Sequence, residues 1–292
     1  MDLRPRRSVL FLPASNPKAV TKARELPTDV VILDLEDAVA PEAKDDARAA
    51  AIAAVQEGGW GRRELIIRVN SIDSPWGAAD LAAAAAAGPD AVLVPKVSSP
   101  DDLLAYDRAL ACAAPVTRLW TMIETCAVVP ELGRLAALKA STRLAAFVLG
   151  TNDLAKDLRA QIRPGRAPFL PILSAAVCAA RAHGLVVIDG VCNEFRDPSA
   201  LIAEAQQGQE FGFDGKSLIH PDQVEPCNAV FSPGAAELKQ ARAIVAAFDD
   251  PEHAGKGAIR LEGMMVELLH LDQARRVLAI AAAIAADHPQ AR

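Results

Sequence analysis

The sequence predicts an α/β protein built as a closed TIM (β/α)8 barrel with a C-terminal helical extension and lid. Three observations predict it. Short β-branched runs alternate with alanine-rich helical stretches over most of the 292 residues. The strand runs are almost continuously apolar, as parallel strands buried on both faces require. Eight such units suggest closure, and no GxGxxG follows an early strand, which removes the dinucleotide-binding form of the open doubly wound alternative.

The expected strands, in order, are Val9–Leu12, Val30–Leu35, Leu65–Val69, Ala91–Val94, Leu119–Ile123, Ala145–Leu149, Leu185–Ile188 and a weaker run at Lys216–Ile219. Between them, helical patterns fall at Pro17–Arg24, Glu42–Val55, Trp76–Ala87, Asp101–Ala111, Val129–Leu138, Ile172–Ala182 and Pro198–Gln207. The alanine run Ala82–Ala87 reads as helix filler of high intrinsic propensity. The repeat stops near residue 231, so the expected division is a catalytic barrel at 1–231 and an extension at 232–292. In the extension, Ser232-Pro233-Gly234 opens a helix to about Phe248. Glycines 255, 257 and 263 punctuate the next stretch, and a helix runs from about Leu271 to Ala286. The glycines favour a segment that bends, hence a lid.

Composition narrows the function classes. With 51% hydrophobic and 23% charged residues the chain reads as a globular enzyme. Only 4% of residues are aromatic and the net charge is −6, which argues against nucleic-acid partners. No apolar run of about 20 residues is present, so no membrane partner is expected. Five scattered cysteines without a CxxC pair read as reduced core thiols, and the start Met1-Asp2-Leu3-Arg4-Pro5 lacks the apolar core of a signal peptide. A cytoplasmic location is the expectation.

In a β/α barrel the site lies at the C-terminal ends of the strands, so polar residues ending apolar runs carry the chemistry. Glu124 and Asp153 end adjacent strands. Two converging carboxylates with substrate oxygens and waters suit Mg²⁺, which would bind a 2-oxo acid as a Lewis acid. Glu36 and Asp37 either orient metal-bound waters or meet a helix N-terminus. Arg68 is placed to clamp a carboxylate with two parallel hydrogen bonds and to offset enolate charge, or else to pair with Glu36 or Asp37. Lys18 and Lys22, four apart on the first helix, form a solvated face that could also meet the phosphates of a CoA. His220 reads as a structural histidine beneath the site.

Several segments resemble the citrate lyase β-subunit-like family, the malyl-CoA and citramalyl-CoA lyase type within the HpcH/HpaI aldolase superfamily. They are Arg7-Ser8-Val9-Leu10-Phe11-Leu12-Pro13, Ile32-Leu33-Asp34-Leu35-Glu36-Asp37-Ala38-Val39, Ile67-Arg68-Val69-Asn70, Leu93-Val94-Pro95-Lys96-Val97, Ile123-Glu124-Thr125, Gly215-Lys216-Ser217-Leu218-Ile219-His220-Pro221 and Gly255-Lys256-Gly257. The resemblance implies a Mg²⁺-dependent barrel, a homotrimer or hexamer, acting beside a CoA thioester with pyruvate or glyoxylate as the 2-oxo acid. By position it makes Glu124 and Asp153 metal ligands and Arg68 the oxo-acid and thioester clamp. Phe11, Lys18 and Lys22 become CoA contacts, and the Ile188-Asp189 turn lies against the thioester arm. It also implies that the lid closes over a neighbouring subunit's site and brings an acid, here Glu267, to the acetyl carbon.

Two positions depart from the family pattern: Glu267 stands where an Asp is usual, and Asn152 where a Glu is common. The expected activity is Mg²⁺-dependent cleavage of a malyl-CoA or citramalyl-CoA type 3-hydroxyacyl-CoA to acetyl-CoA and a 2-oxo acid. Arg68 would steady the enolate and Glu267 would protonate it, with Glu36 and Asp37 in support. The alternatives are a citrate lyase β subunit, a malyl-CoA thioesterase, and a non-catalytic protein that binds CoA or an oxo acid.

Overall fold

Eight parallel strands follow the chain in spatial order and close on themselves in the computed structural model, which describes residues 4–287. Met1, Asp2 and Leu3 of the expected N-terminus and residues 288–292 of the expected extension lie outside the described residues. The strands are β1 (Ser8–Pro13), β2 (Val30–Asp34), β3 (Glu64–Arg68), β4 (Ala91–Val94), β5 (Arg118–Ile123), β6 (Leu144–Leu149), β7 (Val186–Asp189) and β8 (Gly215–Leu218). Pairing of Ser8 with Lys216 closes β8 on β1. The barrel is therefore a TIM barrel, as the sequence predicts.

Side chains alternate across each strand with a period of two, and this alternation sorts the apolar runs into two layers. Val9, Val30, Ile32, Ile66, Leu93, Trp120, Met122, Val148 and Ile188 fill the interior. Their neighbours Leu10, Val31, Leu33, Ile67, Val92, Phe147 and Val187 face outward into the layer shared with the helices. Carrying the inward set one more step toward the strand ends puts Phe11, Asp34, Arg68, Glu124 and Gly150 at the mouth.

The helices sit close to where the sequence puts them. Asn16 caps Pro17–Ala23 by accepting from the Ala19 N–H, and Ser99 and Asp102 form a capping box on Pro100–Ala109. Differences have local causes. Pro130 lies inside the expected helix Val129–Leu138, which instead forms a 3-10 segment, Cys126–Glu131, and then the helix Leu132–Ala137. Thr151–Leu158 and Val224–Val230 are two further helices, which the sequence pattern does not predict. Both are about two turns long, too short for an apolar period to stand out.

Contacts divide the chain into one unit at Arg6–Phe231 and another made of Met1–Pro5 with Ser232–Arg292. The second unit is not purely helical. Between the helices Ala235–Asp249 and Leu268–Asp287, the glycine-punctuated stretch forms an antiparallel hairpin of β9 (Ala258–Leu261) and β10 (Met264–Glu267). Its two-residue turn, Glu262-Gly263, has φ of 49° and 86°. Two successive positive φ values match the turn type whose twist suits a hairpin, and glycine removes the strain at the second position. Ile259 and Val266 turn inward onto Ala241, Ile244, Leu271 and Ala274 as a small separate core.

Among the described residues no helix is long and apolar enough to cross a membrane. All five cysteines are free. Cys192 and Cys227 are buried, whereas Cys112 and Cys178 are exposed and so are not core thiols. Cys112 lies in the turn after the helix Pro100–Ala109 and Cys178 on the outer face of the helix Leu170–His183.

Candidate active site

The mouth of the barrel holds a cavity of about 410 Å³ lined by Phe11, Asp34, Asp37, Arg68, Glu124 and Asp153, among others. That volume lies in the range of small-ligand pockets. Its polar side chains come from the C-terminal ends of β2, β3 and β5, from the first turn of the helix after β6, and from Asn193 after β7.

Asp34 organises one wall. It is paired in register with Arg68 on the next strand, and both side chains point inward. Arg68 donates from Nε to Asp34 Oδ1 and from Nη2 to Asp34 Oδ2, each at 2.6 Å. Asp34 also accepts the N–H groups of Glu36 and Ala38 at 2.9 and 3.1 Å, so one buried carboxylate shapes the turn after β2. Lys44 holds the same turn from outside, donating to the carbonyls of Leu35 and Glu36 and to Asn70 Oδ1. The expected bidentate clamp is therefore satisfied within the protein. The two parallel bonds of Arg68 go to Asp34, a partner that the sequence reading did not weigh, and only Nη1 is left toward the other acids.

Nη1 lies 2.8 Å from Glu36 Oε2 and 3.4 Å from Asp37 Oδ2. The Glu36 oxygen stands off the N–H direction and has no hydrogen-bond partner. Burial outweighs the attraction of Arg68 and pushes the Glu36 carboxyl up to about 8. Burial works against the charge of Arg68, but Asp34 and Glu36 more than offset it and hold the guanidinium charged. Phe11 packs beneath, its ring centre 5.3 Å from Arg68 Cζ. Asp37 is the most open of these acids, with its side chain 61% exposed.

Glu124 and Asp153 converge on the opposite wall. Glu124 is buried, and its carboxyl is raised by desolvation. Its Oε1 accepts the Lys96 N–H at 2.7 Å, while its Oε2 is buried without a hydrogen-bond partner. Gly150 makes room for it, since a Cβ there would stand 2.6 Å from Oε2. Asp153 lies in the first turn of Thr151–Leu158. Its Oδ2 and Glu124 Oε1 share the Lys96 ammonium at 2.8 and 3.5 Å. Among the described residues no three His, Cys, Asp or Glu side chains cluster as a metal cage. Mg²⁺ needs only one or two protein carboxylates, and a bare buried carboxylate oxygen beside a second acid fits that demand.

Ile188 and Asp189 correct the expectation for their side chains. Ile188 lies fully buried in the barrel interior. Asp189, one residue on, faces outward by strand alternation, and there it meets Arg166 at 2.7 Å and Lys216 at 3.1 Å. These two cations overcome the burial penalty and hold its carboxyl below the usual carboxylate range. Neither side chain lines the cavity. Lys18 and Lys22 are exposed on the helix after β1 and do not line it either. His220 is a structural residue at the rim: its Nδ1 accepts the Asp222 N–H and its ring stacks on Phe195. It stands in a partly exposed position, not beneath the site.

Asn152 lines the cavity and exchanges amide hydrogen bonds with Asn193, at 2.7 and 3.2 Å, which ties the first turn of the helix after β6 to the loop after β7. Nothing in the sequence marked Asn193. Glu267 ends β10 in the other unit, half-buried, with its N–H donating to His270 Nδ1 at 3.0 Å.

A TIM barrel with paired acids and an arginine lining a cavity at its mouth belongs to the class of barrels whose ligand site lies at the C-terminal ends of the strands. Residues 7–221 match the HpcH/HpaI aldolase/citrate lyase family, and the chain belongs to that family. It is 47% identical over 282 residues to a (3S)-malyl-CoA thioesterase of Cereibacter sphaeroides, covering 97% of this chain and 96% of that protein. It is 34% identical to the citrate lyase subunit beta of Haemophilus influenzae, covering 94% and 96% respectively. Among solved structures it is similar to the Mycobacterium tuberculosis protein CitE in complex with magnesium, acetoacetate and coenzyme A. There the TM-score is 0.78 and the identity 27%, covering 96% of this chain and 99% of that one.

Proposed function

We propose that this protein is a Mg²⁺-dependent enzyme of malyl-CoA-type thioesters and that it hydrolyses the thioester of a 3-hydroxyacyl-CoA. The observation that carries the site is the meeting of Glu124, Asp153 and Arg68 on one cavity of acyl-group size. Identity of 47% to the (3S)-malyl-CoA thioesterase favours hydrolysis as the reaction.

Glu124 and Asp153 would hold the ion, which when bound supplies a Lewis acid for the substrate's carboxylate and hydroxyl oxygens. The chain's own groups do the rest. Arg68, fixed by Asp34, offers Nη1 to oxygen that gains negative charge. Asp37, exposed at the mouth, takes a proton from the attacking water. The water oxygen bonds to the thioester carbon, the carbon–sulfur bond breaks, and the CoA thiolate leaves to be protonated. Phe11 supplies an apolar wall for the acyl arm, and Lys18 and Lys22 meet the CoA phosphates outside the cavity.

Carbon–carbon cleavage to acetyl-CoA and pyruvate or glyoxylate is the second reading. It uses the same ion and the same arginine, with Glu267 as the acid for the acetyl carbon. The complex of the M. tuberculosis CitE with magnesium, acetoacetate and coenzyme A favours it. A cytosolic homotrimer or hexamer goes with either reading.

Product analysis decides between them. Incubated with Mg²⁺ and malyl-CoA, the protein should release free CoA and malate. Acetyl-CoA with glyoxylate in equal amounts would move the assignment to the lyase, and no turnover on malyl-, citramalyl- or citryl-CoA would remove both.

A further inference from the structure

We propose that Lys96 is a tethered counter-cation for the Glu124–Asp153 pair, holding the two carboxylates together without a divalent ion and giving way when one binds. The inference rests on the reading that this pair takes Mg²⁺.

Two independent contacts of Lys96 meet at the pair. Its backbone N–H donates to Glu124 Oε1 at 2.7 Å, and its ammonium lies 2.8 Å from Asp153 Oδ2 and 3.5 Å from Glu124 Oε1. The backbone that allows both has φ 56°, in the left-handed region that residues other than glycine seldom adopt. Such a conformation persists where surrounding interactions over-determine it, and functional sites are where it collects. The ammonium thus stands at the point where two acids from neighbouring strands converge. That is the position of a cation.

The substitution is incomplete. A single ammonium leaves Glu124 Oε2 bare although that side chain is 1% exposed. A divalent ion would take Oε2 together with Asp153, and two cations cannot share so small a space without strong repulsion. The Lys96 side chain is 34% exposed, so it has a route into solvent. Metal entry therefore displaces the ammonium from Asp153 and leaves the backbone bond to Glu124 Oε1 in place.

The test uses Mn²⁺ as the probe, with free ion counted by electron paramagnetic resonance, on the full chain. Lys96→Met keeps the length of the side chain and removes the charge. It should bind Mn²⁺ at least fivefold more tightly than the wild type, and its metal-free melting temperature should fall and recover with Mg²⁺. Lys96→Arg should stay near the wild-type affinity. Equal or weaker Mn²⁺ binding by Lys96→Met overturns the proposal and leaves the metal reading standing. If neither wild type nor variant binds Mn²⁺, both fall. Should Lys96→Met fail to fold, the wild type answers alone: acetic anhydride labelling of Lys96, read by mass spectrometry, should rise when Mg²⁺ is added. Unchanged or reduced labelling overturns the proposal.

Discussion

Arg68 gives both arms of its Nε–Nη2 fork to Asp34 at 2.6 Å, so only Nη1, which stands beside Glu36 and Asp37, is left toward the cavity. The pair is buried on both sides, and the same Asp34 carboxylate caps the turn that carries Glu36 and Asp37. Position and charge at the mouth thus depend on Asp34.

Asp34→Asn should therefore damage both folding and function. Removing one partner of a buried pair costs about 3 kcal/mol because the other charge is left without compensation. Denaturant unfolding should show that loss, and the folded fraction should have a KM raised about tenfold or more as Arg68 leaves its place. A variant with wild-type stability and KM would contradict the organising role.

Glu36 makes stability depend on pH. Its folded carboxyl is raised to about 8, above the unfolded value, so between the two the folded state holds a proton that the unfolded state has released. The contribution is fully present below the unfolded value and is lost as pH rises through about 8. Glu36→Gln cannot ionise. In metal-free buffer its melting temperature relative to wild type should climb steadily from pH 5 to pH 8.5. A constant difference across that range would show that burial does not govern this carboxyl.

The barrel was legible because its signal repeats: short β-branched runs such as Val30-Val31-Ile32-Leu33 alternate eight times with helical stretches, as parallel strands buried on both faces require. The mouth was legible only in part. Counting alternate residues outward from Ile32, Ile66 and Met122 finds Asp34, Arg68 and Glu124, and the same count from Ile188 turns Asp189 away. That alternation is a property of the sequence, and it places Asp34 beside Arg68 at the mouth. Lys96 and Asn193 are different. Lys96 stands in a recognisable segment, but its reach to both acids comes from a left-handed backbone after β4, and Asn193 acts through a contact with the helix after β6; neither contact leaves a local pattern. The hairpin at Glu262-Gly263 sat under glycines that read equally well as a hinge.

The outer cluster around Asp189 should prove structural. Lys216 is fully buried and also lies 3.1 Å from Glu204, so the charges balance as a network. Lys216→Met should cost about 3–5 kcal/mol in unfolding free energy while kcat of the folded fraction stays close to wild type. Because the Asp189 carboxyl is held low, its contribution is present above the unfolded value near 3.8 and is lost as pH falls through the lower folded one. Acid unfolding of Lys216→Met should thus begin at higher pH than in wild type. Loss of kcat without loss of stability would place the cluster in the reaction instead.

Thiol reactivity should divide the cysteines. Cys112 and Cys178 are exposed and should react with Ellman's reagent in the native protein. Burial pushes the Cys227 thiol up to about 12, and its Sγ donates to the Arg7 carbonyl. It should stay silent until the barrel unfolds. Native reaction at Cys227 would mean that the layer between β1 and Val224–Val230 opens locally.

Glu267 carries the riskiest expectation, that it moves a proton at the acetyl carbon over a neighbouring subunit's mouth. Two facts frame the test. The residue sits directly before the helix Leu268–Asp287, where a carboxylate favours the helix N-terminus, and its N–H is held by His270. Around it Met264, Met265, Leu268 and Leu269 are exposed, an apolar setting suited to excluding water from a covered site. The helix role is worth about 0.3–1 kcal/mol, so Glu267→Gln should melt close to wild type under either role. Exchange separates them. On the carbon–carbon cleavage reading, with Mg²⁺ and an oxo acid present, Glu267→Gln should bind acetyl-CoA normally but lose exchange of the acetyl protons with deuterated water by about a hundredfold or more, the usual worth of a general acid–base. Glu267→Asp, which keeps the carboxylate one methylene shorter, should keep that exchange. Wild-type exchange in Glu267→Gln would return Glu267 to the helix terminus and send the search for the carbon acid to the barrel, beginning with Asp37.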